Sequence, residues 1–207
     1  PKLIAVIDST TIAAGSSLGK IEIINERSSN PIIFQRHLGK ITCVTADSRY
    51  LVTGGNDTAT NIFLSNNSSN NEPTFANNTI LPTFSSSPEI NFYHFFPTYR
   101  DDVTCCAVNS NFDLIVSGTR DSSLFFFSPF HKTVTKIVDL SGRIPEKVLI
   151  TDGWGFVVVY ELSFEKGVQN QCIEVYDVNG EFITSKPLPF AIQQWTSYKS
   201  VDGFDYL

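Results

Sequence analysis

The chain has 207 residues, 42% of them hydrophobic and 13% aromatic, with a formal net charge of −6 at pH 7. That is enough apolar material for a folded core, while the acidic balance weighs against a general nucleic-acid or anionic-membrane surface. No apolar run reaches the ~18 residues that cross a bilayer, so direct membrane insertion is not expected.

Nearly every ordered segment reads as a strand: short, rich in Ile, Val, Phe and Thr, and bounded by Gly, Asn, Asp or Ser. No i, i+3, i+4 apolar pattern persists over ten residues, so the expected fold class is all-β with almost no helix. Residues 1–36 hold LIAVI, TIAAG, KIEIIN and PIIFQ, one group of four strands. The group opens at Pro1 inside an apolar run and without Met, so the chain is expected to be a piece of a longer protein. Its turn has Leu18 where later groups have Asp, and is expected to rely on Gly15 and Gly19. Residues 37–98 hold a second group, with a polar insertion at 65–89 rich in Asn, Ser, Thr and Pro and too poor in apolar residues to order itself. Its fourth strand is expected at about Ile90–Phe96. Residues 99–140 hold a third group. Residues 141–190 hold a degenerate fourth, KVLIT, GFVVVYE, CIEVYDVNG and FITSKPL, and residues 191–207 look like the start of a fifth.

The second and third groups repeat one another. HLGKITCVTADSRYLVTGGNDTATNIFL (37–64) and YRDDVTCCAVNSNFDLIVSGTRDSSLFFFS (99–128) share an apolar strand, a second ending in Thr/Ser-Gly, an Asp in a tight turn, and a third ending on Phe. The pattern resembles the WD40 repeat, one blade of a β-propeller. The resemblance implies four-stranded antiparallel blades around an axis, about four of them here where WD40 propellers most often have seven. The rest of the chain, as missing blades, is then expected as a partner.

In WD40 repeats a His, a Ser or Thr, a Trp and an Asp form a hydrogen-bonded brace. The matching residues in the second group are His37, Thr53, Asp57 and Phe63, with Phe removing the last hydrogen bond. The third keeps Ser117, Asp121 and Phe127 but has Tyr99-Arg100-Asp101 in place of Gly-His. The fourth has Tyr176-Asp177 at the Trp-Asp position. The resemblance also places a partner-binding face on the loops between blades and the turns after second strands, here Asn56, Arg100, Asp101 and Arg120.

Nothing in the chain spells a catalytic motif. There is no nucleophile elbow, phosphate loop or paired-carboxylate motif, and His94 and His131 have no partner at ligand spacing. Cys43, Cys105, Cys106 and Cys172 form no C-x-x-C pair and read as reduced core thiols. Adjacent Cys105 and Cys106 point to opposite faces of a strand, which disfavours a shared metal. No enzyme activity, metal, nucleotide or other cofactor is expected.

A narrower resemblance lies in DDVTCCAVNSNFDLIVSGTRDSSLFFFSP (101–129). It is similar to the WD40 segment that follows the BEACH domain in the beige and neurobeachin group, most tellingly at Phe112-Asp113-Leu114. The stretch VLITDGWGFVVVYE followed by CIEVYDVNGEFI is similar to the next blade of that group, with Val178-Asn179-Gly180 the matching turn. This implies a non-enzymatic protein–protein interaction module of a large trafficking scaffold, cytoplasmic and peripheral on intracellular membranes, with a BEACH domain as neighbour. The alternative implied by the WD40 pattern alone is a scaffold or adaptor subunit of an unrelated complex, such as a ubiquitin-ligase adaptor or signalling platform.

Overall fold

The computed structural model describes residues 3–66, 89–97, 101–165, 168–193, 198–199 and 205–206. It is all-β, as the strand-like segments and absent helical period require. Four antiparallel sheets follow one another along the chain, each with its strands in sequence order. The first is β1 (Leu3–Asp8), β2 (Thr11–Gly15), β3 (Lys20–Asn25) and β4 (Ile32–Gln35). The second is β5 (Ile41–Ala46), β6 (Tyr50–Gly55), β7 (Ala59–Asn66) and β8 (Glu89–Pro97). The third is β9 (Val103–Asn109), β10 (Leu114–Thr119), β11 (Ser123–Ser128) and β12 (Thr133–Asp139). The fourth is β13 (Ile144–Ile150), β14 (Val157–Glu165), β15 (Val168–Tyr176) and β16 (Phe182–Leu188). Two short strands, β17 (Tyr198–Lys199) and β18 (Asp205–Tyr206), pair as a hairpin. Among the described residues the only helical turn is 3-10, Ser110–Phe112, and no helix is long and apolar enough to cross a membrane.

The sheets stack like blades because each central strand is apolar on both faces. Leu51 points into the cluster shared with the first sheet, beside Ile21, Ile41 and Phe63. Its neighbour Val52 points into the cluster shared with the third, beside Cys106, Ile115 and Phe127. Val116 and Phe126 do the same toward Val148, Val157 and Tyr176 of the fourth. Alternation along a strand thus serves two interfaces at once, and the first strands β1, β5, β9 and β13 neighbour one another in that order.

A repeated device closes the seams between blades. Thr42 Oγ1 lies 3.0 Å from Gly54 O in its own blade and 2.5 Å from Val103 O in the next. Thr104 Oγ1 does the same with Gly118 O, at 3.2 Å, and with Pro145 O. The facing glycines make room. A Cβ on Gly54 would sit 2.6 Å from Cys43 Sγ and closer still to Val103, and one on Gly118 would sit 2.6 Å from Pro145. Gly15 is the same device one blade earlier, with Ile41 and Val44 each 2.9 Å from a Cβ there. It therefore serves packing and not the turn, which rests on Gly19 at φ +76°. At the opposite end, Asp47 Oδ2 accepts from Ser110 N at 2.6 Å and Asn109 Nδ2 donates to Asp152 Oδ1 at 3.0 Å, linking successive turns.

The expected insertion at 65–89 is shorter at both ends. The β7–β8 ladder extends to Ser65↔Ile90 and Asn66↔Glu89, because extended backbone there completes hydrogen bonds that a loop would leave open. Residues 67–88 lie outside the described residues.

Candidate functional site

In the second blade His37 is buried, with 1% of its surface exposed. Its Nδ1 is 2.8 Å from Asp57 Oδ1, and its Nε2 is 2.8 Å from Thr53 Oγ1. Asp57 Oδ2 accepts the Leu38 N–H at 2.8 Å, so one carboxylate ties the loop to the turn. Asn61 Nδ2 reaches Arg36 O at 3.4 Å and His37 Nε2 at 3.0 Å. As Nδ2 donates in both, the imidazole proton sits on Nδ1 and Nε2 accepts. Asn61 thus adds a donor to the network that the sequence reading left partial. Phe63 makes no polar contribution; it is buried against Phe34 and Phe92, at ring distances of 5.3 and 5.8 Å.

The third blade departs from the expected brace. Ser117 Oγ is buried with no hydrogen-bond partner among the described residues, because its cross-strand neighbours are Cys106 and Phe125. Asp121 acts locally, accepting from Thr119 Oγ1 at 2.5 Å. Phe127 stacks on Phe96 at 4.3 Å in the seam with the second blade.

The fourth blade carries a brace of another chemistry. Thr53 and Asn61 face one another in the second blade; the pair at the same register in the fourth is Val159 and Glu174. Glu161 lies two residues along β14, opposite Cys172. Arg143, in the loop before β13, donates from Nη1 to Glu174, with its Nε 3.3 Å from Glu161 Oε2. Tyr176 donates its hydroxyl to Glu174. Tyr176 is therefore bonded within its own strand and not to a Ser or Thr, and Asp177 holds its own turn through the Asn179 and Glu181 N–H groups, at 2.9 and 2.8 Å.

One guanidinium faces two carboxylates in this cluster, and Glu161, 1% exposed, has neither oxygen hydrogen-bonded among the described residues. Burial, reinforced by the Glu174 charge, pushes the Glu161 carboxyl up to about 8. Burial also raises the Cys172 thiol. Glu161, Cys172 and Glu174 place three ligand atoms within 4.8 Å of one another, an arrangement not visible as a sequence spacing. Arg143 occupies the cation position among them.

The cysteines and His131 fall into structural roles. Cys105 faces the fourth blade and Cys106 the second, on opposite faces. Burial raises the Cys105 thiol, and the neighbouring Cys43 thiol together with burial raises that of Cys106. All four cysteines are free, with Cys43 and Cys172 only half-buried. Ser128, His131 and Asp113 meet in space, but not as a catalytic relay. Ser128 Oγ donates to Asp113 and lies 2.9 Å from His131 Nδ1, so its hydroxyl proton is already committed. Asp113 accepts the Phe130 N–H at 2.9 Å and takes a left-handed φ of 50°, which makes the three a turn clasp.

Of the expected partner surface, Asn56 and Arg120 are exposed and Asp101 half-buried at one rim. Arg120 Nε lies 3.9 Å from Asp102 Oδ2. Arg100, like Tyr99, lies outside the described residues. The same rim carries the β2–β3 turn and the β4–β5 loop. At the opposite rim a polar cavity of about 460 Å³ is lined by Asp47, Ser48, Asn109, Ser110 and Asp152; its acids are engaged in the turn-to-turn links.

Four-stranded antiparallel sheets stacked through their faces, with loops gathered at two rims, define a propeller-like fold. Residues 29–63 and 91–128 match the family described as WD40: WD domain, G-beta repeat, so these stretches are WD40 repeats. The structure is similar to a chain in the crystal structure of the mitotic checkpoint complex, with TM-score 0.62 and 18% identity over 97% of this chain and 55% of that one. The chain thus spans about half the length of that relative. It is also similar to the computationally designed Ika4 protein, with TM-score 0.60 and 12% identity over 85% of this chain and 89% of that one. No curated protein matches. WD40 domains are generally protein-interaction scaffolds and not enzymes.

Proposed function

We propose that this chain is a non-enzymatic protein–protein interaction scaffold and the WD40 region of a BEACH-type trafficking protein, working in the cytoplasm at the periphery of intracellular membranes. The observation that carries the scaffold reading is the division between interior and rim. His37, Asp57, Arg143, Glu161 and Glu174 are spent on bracing blades, while Asn56 and Arg120 stand exposed, the first on the turn that Asp57 ties down and the second on a turn tied by Thr119 and Asp121. A rigid polar rim loses little entropy when a partner docks. The BEACH placement rests on the resemblance of 101–129, whose Asp113 has a local reason to be there, the clasp with Ser128 and Phe130.

A pull-down from cell extract tests the scaffold reading, comparing the parent with an Arg100→Glu, Arg120→Glu double variant. Selective loss of partners with an unchanged melting temperature is expected; retention of every partner moves the site elsewhere. The transcript upstream of Pro1 tests the placement. A BEACH domain there is expected, and a kinase, an F-box or a further propeller half would leave an adaptor subunit of an unrelated complex.

A further inference from the structure

We infer that Leu18 and Leu38 are the apolar anchors of this rim, and that what docks on them is an acidic linear segment of a partner protein carrying apolar side chains. The inference rests on the scaffold reading and specifies its site. Leu38 is 99% exposed and Leu18 72% exposed. Neither belongs to an outer blade face: Leu18 lies in the β2–β3 turn and Leu38 in the β4–β5 loop.

The two loops are locked together. Gln35 Nε2 donates to Leu18 O at 2.9 Å and to His37 O at 3.0 Å. His37 N donates to Gly19 O at 3.4 Å. Gly19 approaches so closely that a Cβ there would sit 2.7 Å from Gly39 O and nearer still to His37 O. Leu38 is further fixed by its N–H on Asp57, beside the buried His37. Two leucines are thus held in water by a loop pair with little freedom left. Exposed apolar side chains scattered singly need no explanation, but two carried by loops that are bonded to one another have the pre-organisation of a binding hot spot.

Charge selects the occupant. The segments 16–20 and 36–40 carry Lys20, Arg36 and Lys40 and no acidic residue, in a chain whose formal net charge is −6. Asp57, which accepts the Leu38 N–H, faces His37. All three basic residues are exposed, and Arg36 also lies over the Phe92 ring, 4.2 Å from its centroid. A basic frame around an apolar pair favours an acidic partner, and steers its approach at low salt.

The test is selection from a displayed library of random linear peptides on the full 207-residue chain. Enriched peptides should be net acidic around two or more apolar residues. For a synthesised winner, fluorescence anisotropy should show at least a tenfold weaker Kd with the Leu18→Ser, Leu38→Ser variant. The Lys20→Glu, Lys40→Glu variant should weaken binding as far and flatten its salt dependence. Both pairs are exposed, so melting temperatures should not move. Enrichment of basic peptides, or no enrichment, overturns the inference. Winners that ignore the leucine and lysine variants but lose binding to Arg120→Glu overturn the anchors and keep the rim. Winners indifferent to all of these and weakened by Ser48→Arg at the opposite rim overturn the rim reading as well.

Discussion

Replacing Glu161 by Gln should make the protein more stable in alkali and leave it nearly unchanged in acid. The carboxyl sits with Glu174 around a single guanidinium and is raised from its ordinary 4.5 to about 8. Between those values the unfolded chain has lost this proton while the folded chain still holds it. The stabilisation is therefore complete below pH ~4.5 and is lost as pH rises through ~8. A tenfold change in proton affinity is worth about 1.4 kcal/mol, so forcing Glu161 to ionise inside the blade costs on the order of 4–5 kcal/mol once complete. A neutral amide in its place would carry no such cost. Urea unfolding of parent and variant at pH 5, 7 and 9 measures the difference directly. The stability gap should be near zero at pH 5 and reach at least ~2 kcal/mol in favour of the variant at pH 9. A gap that stays flat across this range, or a variant weaker at pH 9, would refute the assignment of the shared cation.

Arg143→Ala leaves both carboxylates without their cation and should cost roughly 3–5 kcal/mol at pH 8, with much of it recovered at pH 5, as read from the same unfolding curves. Asp57→Ala orphans His37 and the Leu38 N–H together and should lower stability by about 1–3 kcal/mol, measured by thermal melting at fixed pH. Ser117→Ala, which removes a buried hydroxyl that makes no hydrogen bond among the described residues, should be neutral or stabilising by up to about 1 kcal/mol; a loss comparable to Asp57→Ala would mean that Ser117 braces its blade after all. Gly54→Ala drives a methyl toward Val103 and Cys43 and should destabilise by about 1–3 kcal/mol, while Gly142→Ala, with open space around it, should suffer only the strain of its positive φ.

What could be read from the chain was set by what is local. Strand after strand is short, apolar and bounded by turn residues, so the all-β class was legible, and the blade grouping followed from the resemblance of 37–64 and 99–128 to the WD40 repeat; which side chains point in, as Ala5 and Ile7 do while Ile4 and Val6 point out, could not be read from the continuous apolar run of β1. His37, Thr53 and Asp57 could be picked out because they recur at a known spacing. What escaped depends on pairing across hairpins. Glu161 and Glu174 come together only through the β14–β15 register, and Arg143 reaches them from before β13. Ser117 looked like Thr53 by spacing, but its ring neighbour Phe125 stands where Thr53 has Asn61. The repeated Thr42 and Thr104 were visible as pattern, yet their purpose, a bond to the next blade's carbonyl, belongs to tertiary structure.

The threonine seams also bear on how the molecule comes apart. Within a blade, partners are close along the chain, and among the described residues the main contacts between blades join each blade to the one before and the one after, so stability is close to a sum of blade terms and nearest-neighbour coupling terms. Thr42 with Gly54 supplies one such coupling and Thr104 with Gly118 the next, and the third blade is the one flanked by both. Native-state amide exchange should then grade along the chain. Amides of β10 and β11, central in the blade that both seams flank, should be slow to exchange, and those of the outermost strand β12 faster. A substitution at one seam would lower the exchange barrier chiefly in the two blades it joins, so that the described blades respond as a row of coupled units and not as a single cooperative drop.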